Sequence, residues 1–173
     1  MSAAPVQLET IVREVLPILR AAPESSASFA PQPEVWSAKQ VLGHLIDSAS
    51  NNHQRFLRAQ FSDDLVFAGY DQEEWVRLQG YQETAWGELL EFWAAYNLHL
   101  ARVIARIPAE VRQEPRTRHN LDQLAWKPVP RDTPATLAYF IADYVGHLKH
   151  HLCQIFELLG LPVIDSIAEV PAA

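Results

Sequence analysis

The chain has 173 residues, 49% hydrophobic and 20% charged, with a formal net charge of −7. That is the composition of one globular domain, taken here as the whole chain with a core over about 6–160 and a short C-terminal tail. The acidic balance speaks against nucleic acid, no apolar run is long enough to span a membrane, and Cys153 is the only cysteine. No disulfide or cysteine-rich zinc site can then form within the chain, so a reducing cytoplasm is the expected compartment and any metal must be held by histidine or carboxylate.

Helical periodicity appears first from about Val6 to Ala21, where Leu8, Ile11, Val15, Ile18 and Leu19 recur every three or four residues. Pro23 and a serine-rich run end it. A second helix is expected from about Ser37, a plausible N-cap, to Phe61. A short helix should occupy part of Gly69–Val76. The third long helix spans about Thr84 to Ile107 and is closed by Pro108. The stretch from Pro108 to Arg131 is too long for a simple bundle loop and could cover one mouth of the bundle. The fourth long helix is expected to begin at Thr133-Pro134, a cap followed by proline in the first turn, and to stop before Gly160. With strand signals weak, the economical reading is an all-α, up-down four-helix bundle with long crossover loops.

The fourth helix carries His147 and His151 four residues apart, so their imidazoles lie on one face and can grip one ion. Phe140, Tyr144, Ile155 and Leu158 share that stripe, which turns the pair toward the core. Burying imidazoles without partners is costly, and a metal satisfies several at once. His44, central in the second helix, is the best third nitrogen. Three protein ligands hold an ion while leaving room for water or substrate. His150 lies about 60° from His147 and is assigned to the flank, in a surface, supporting or subunit-contact role. Cys153 lies about 120° from His147 around the helix and is a poor ligand.

The segments Trp36–Ser48 with Asn51, Asn52 and Arg55, Tyr70-Asp71 with Trp75, and His147–Ile155 together resemble the DinB-like superfamily, in its YfiT-like branch of metal-dependent hydrolases. The resemblance covers about residues 10–160. It implies a four-helix bundle, a homodimer, and one divalent transition metal per chain on His44, His147 and His151, with zinc or nickel foremost. His119 falls in a loop where relatives of this branch often carry a histidine, although its neighbours depart from their pattern.

Other polar positions carry two readings each. Asp47, one turn after His44, could orient that imidazole or lie on the surface. Asn51, Asn52 and Arg55 could bind a polar or anionic group, Arg55 being read first as half of a salt bridge. Gln154 could bind substrate or water, or be a satisfied interior amide. Tyr70 and Trp75 could wall the pocket or anchor packing. His53 and His99 are read as peripheral.

The expected function is hydrolysis of a small-molecule substrate by a nucleophile activated at an open three-histidine site. The alternative is transfer to a low-molecular-weight thiol, the activity associated with bacillithiol- and mycothiol-using members of the superfamily. A second alternative is a non-catalytic metal-binding stress-response module.

Overall fold

The computed structural model describes residues 3–168; residues 1–2 and the end of the expected C-terminal tail, 169–173, lie outside the described residues. In chain order the helices are α1 (Ala3–Arg20), α2 (Glu24–Ser28), α3 (Ala38–Arg58), α4 (Gln72–Gln79), α5 (Trp86–Arg106), α6 (Ala109–Gln113), α7 (Leu121–Leu124) and α8 (Leu137–Leu158). A 3₁₀ turn, Tyr81–Glu83, precedes α5. The four long helices α1, α3, α5 and α8 form the expected all-α bundle. Each of α1 and α3 packs on both α5 and α8, so helices consecutive along the chain, α1 with α3 and α5 with α8, sit across diagonals.

Direction follows from which ends meet. Trp86 at the start of α5 donates its indole N–H to the carbonyl of Leu19 at the end of α1. Lys39 at the start of α3 pairs with Glu24 just beyond α1. Both helices therefore run back along α1. Phe56 near the end of α3 meets Phe140 near the start of α8, so α8 runs against α3. The resulting order is up, down, down, up. It differs from strict alternation because residues 59–85 carry the chain back along the bundle before α5 begins.

Local chemistry sets the helix ends. Ser37 and Gln40 form a reciprocal capping box on α3, as the N-cap reading required. Asp71 caps α4, which sits slightly later than expected. The fourth long helix starts at Leu137 behind the cap Thr136, not at Thr133-Pro134. Ala135 exchanges both backbone hydrogen bonds with Arg116, which holds the chain extended and delays the helix. Arg116 itself is buried, and its guanidinium donates to the carbonyls of Ala59, Ser62, Asp64 and Val111. One cation thus ties the end of α3 to both crossovers.

Candidate metal centre

Four side chains line one face of α3: His44, Ser48, Asn52 and Arg55, spaced by four, four and three residues. Opposite them, α8 presents His147 and His151. The three imidazoles meet, with their candidate ligand nitrogens all within 4.8 Å of one another. His44 Nε2 lies 3.1 Å from His147 Nε2. Two imidazole nitrogens on one tetrahedral ion at a metal–nitrogen distance of about 2.05 Å would be about 3.3 Å apart, so this spacing suits a shared ion. Among the described residues the cluster contains no carboxylate and no thiol.

The supports of the three rings differ. His151 Nδ1 donates to Gln154 Oε1 at 2.9 Å, which fixes the tautomer and leaves Nε2 free. His147 Nδ1 faces Ser48 Oγ at 3.5 Å, a long contact. His44 Nδ1 is buried without a hydrogen-bond partner. Burial, reinforced by the neighbouring imidazoles, lowers the pKa of His44 to about 4 and depresses His147 and His151 as well. All three rings are therefore neutral near pH 7, the state in which imidazole ligates a metal.

The cluster forms one end of a cavity of about 370 Å³ between α3, α8 and the crossovers. Its walls include Asn52, Arg55, Tyr70, Trp126, Asp143 and His150. Trp126 lies against His150, with ring centroids 5.4 Å apart. Gly146 gives the ring room: a Cβ there would stand 3.1 Å from the indole and press it back by a few tenths of an ångström. Asp143 accepts the backbone N–H groups of Trp126 and Lys127, and so holds this loop onto α8. Gln123, Leu124, Ala125 and Trp126 of the second crossover thus form part of the cavity wall.

A family model described as the DinB superfamily matches residues 7–155. The chain belongs to the DinB superfamily. Among solved structures, YfiT from Bacillus subtilis superposes with a TM-score of 0.72 at 18% identity, over 92% of this chain and 87% of that one. YfiT is described as a probable metal-dependent hydrolase with an unusual four-helix bundle topology. At that identity the likeness concerns the fold. No curated protein matches the sequence.

Several residues of this DinB-superfamily chain lie elsewhere than their sequence positions suggested. Asp47 does not support His44. It is a fully buried carboxylate whose Oδ1 accepts from Tyr81 at 2.8 Å and Gln79 at 2.7 Å. Three residues further along α3 it sits about 60° around the helix from His44, turned toward α4. Gly43 makes this possible, since any Cβ there would lie 2.1 Å from the Tyr81 ring. Asn51 donates to the Asp47 carbonyl and borders a separate groove. His119 is taken up by the loops: its Nε2 meets the Thr133 carbonyl at 2.8 Å and its Nδ1 accepts from Leu121 N. Both nitrogens are engaged by the loops, and the residue is not part of the cluster.

Arg55 has no carboxylate within salt-bridge distance among the described residues, contrary to its first reading as half of an ion pair. Tyr70 lines the cavity, whereas Trp75 packs against it from outside. His150 is exposed at the rim. Gln154 is the interior amide that orients His151. Cys153 Sγ donates to the Ile167 carbonyl, away from the cluster. His53 stands apart with Tyr96 and His99. Sequence reasoning missed Ser48, Trp126 and Asp143 as cavity residues. For Ser48 a signal existed, because it falls one turn after His44 on the same face.

Proposed function

We propose that this chain is a metal-dependent hydrolase of a small molecule, with one divalent transition metal, zinc or nickel foremost, held by His44, His147 and His151. The observation that carries the reading is the meeting of three neutral imidazoles, with no carboxylate or thiol joining them among the described residues, at the wall of a cavity. A divalent ion bound there supplies Lewis acidity and brings the pKa of a ligated water or thiol toward neutrality. The protein's part is to keep the imidazoles unprotonated, to orient His151 through Gln154, and to leave one side of the cluster facing the cavity. Trp126, Tyr70 and the crossovers limit bulk water there.

Thiol transfer is the alternative mechanism. Cys153 is turned toward Ile167, so a thiol nucleophile would have to come from a small molecule. A closed, non-catalytic site is the third possibility, and a coordination probe separates it from the other two. Cobalt(II)-loaded protein should take up one ion per chain, and its visible bands should move when azide or a small thiol is added. Bands indifferent to both would mean a closed site and overturn the enzymatic reading. Turnover of ester or amide substrates without thiol then supports hydrolysis, and thioether formation that requires thiol supports transfer. We also propose a two-fold homodimer in a cytoplasmic setting; no helix among the described residues is long and apolar enough to cross a membrane.

A further inference from the structure

Arg55 is a charged residue of the cavity wall that the proposed metal chemistry does not use. The residue is buried, with a relative exposure of 7%. Its guanidinium has five N–H donors. Among the described residues it makes a single hydrogen bond, to the carbonyl of Ala68 at 2.9 Å. A buried charge normally requires a counter-charge or a full set of acceptors. Arg116 shows how this chain satisfies such a cation when the role is structural, with four backbone carbonyls around it. Arg55 has no comparable set, yet none of its nitrogens is sealed in protein without a partner. Its free donors therefore open onto space that a ligand can enter.

Arg55 stands in the wall between the cavity and an outer groove. The outer groove's carboxylate, Asp64, is engaged with Ser62 and Arg118. Toward the cavity the chemistry converges. Eleven residues separate Arg55 from His44, a rotation of about 20° and a rise of about 16 Å on an ideal helix, so both occupy one face. Helical side chains lean toward the N-terminus, which carries the Arg55 side chain toward the histidine cluster. Between them Asn52 is buried, with its Oδ1 unpartnered. Tyr70, close enough to feel the charge of Arg55, is kept protonated by burial, with its pKa pushed up to about 12. The cavity's other charged wall residue, Asp143, has both oxygens occupied by backbone N–H groups.

We infer that Arg55 is an anion-binding residue for the substrate, receiving an oxyacid group (a carboxylate or a phosphate) at the end of the cavity opposite the three histidines. A planar guanidinium matches either anion with paired hydrogen bonds. Asn52 Oδ1 accepts from an adjoining hydroxyl or amide N–H of the same molecule. The substrate is then a compact anion whose charged group lies no more than about 16 Å from its reacting group. This rests on the proposed function for the identity of the reacting end, but anion binding at Arg55 can be tested without metal.

The test is a titration of metal-free protein with succinate and, separately, inorganic phosphate, followed through the Arg55 side-chain N–H signal in ¹⁵N NMR spectra. Saturable movement of that signal is expected with at least one anion, and the better one identifies the oxyacid. Arg55→Gln should weaken that binding by about tenfold or more. Arg55→Lys, which keeps the charge and guards against misfolding of the first variant, should weaken it less. Arg58→Gln, on the exposed face of α3, should bind as wild type does. Zinc uptake should survive in Arg55→Gln, while His147→Ala should lose zinc and retain anion binding, so the two readings fail separately. An Arg55 signal unmoved by either anion, or undiminished anion binding by both Arg55 variants, would overturn the inference.

Discussion

The seam between α1 and α5 and the seam between α3 and α8 belong to one bundle but are built from different materials. The first is apolar, with Leu8, Ile11, Val15 and Leu19 of α1 buried, as are Leu89, Leu90, Trp93 and Ile104 of α5. The second buries His44, Ser48, Asn52 and Arg55 on α3 and sets His147 and His151 against them. Apolar burial contributes about 25 cal/mol per Å², whereas each buried polar group must find a partner merely to break even. One side of the bundle therefore supplies stability, and the other gives some up to bury polar groups, which the proposed metal and anion would complete.

Breaking the apolar seam should have the largest effect. Leu90 lies one turn after Trp86, whose indole is bonded to α1. Leu90→Ala should cost about 2–5 kcal/mol of unfolding free energy in denaturant melts, without changing metal bound per folded chain. Next comes acidification, which should act through the polar seam. The pKa of His44 is lowered in the folded state, so its contribution is fully present above the unfolded value near 6.5 and is lost as pH falls toward about 4. From His44 alone metal-free protein should lose on the order of 3 kcal/mol over that window, and His44→Gln should reduce the dependence. If wild type and His44→Gln respond to acid alike, the titrating groups lie elsewhere.

Metal itself should sharpen the contrast. At a free concentration of about 100 Kd, zinc should stabilise wild type by about 2.7 kcal/mol, and a chelator should remove that gain. A melt of His147→Ala should show neither response. The smallest effect is expected from Gln154→Leu. Losing the acceptor on His151 Nδ1 should weaken zinc by about tenfold while the bundle stays folded, as a competition titration with a chromophoric chelator would show.

The same division explains what could be read from the sequence. Long helices announce themselves through apolar periodicity, and the four-residue spacing of His147 and His151 survives folding unchanged. His44 joins them because each helix carries its imidazoles on its inward stripe. What the periodicity does not encode is where the crossovers return. Asp47 turns to Tyr81 and Gln79, partners that arrive with residues 59–85 and need the bare backbone of Gly43. Trp126 is held at the cavity by the Asp143 carboxylate and packs over Gly146. His119 is a site candidate in sequence, but backbone groups of neighbouring loops claim it. The direction order of the helices was illegible for the same reason, since it depends on how far the crossovers travel.

The central claim is that the polar seam is a metal site made by three histidines from two helices. Elemental analysis of protein expressed without a polyhistidine tag, reloaded with zinc and freed of excess, tests it most directly. About one zinc per chain is expected for wild type, and close to none for His44→Ala, His147→Ala and His151→Ala, each confirmed as folded by its helical circular dichroism. Equal zinc in wild type and all three variants, or no zinc in the wild type, would contradict the account.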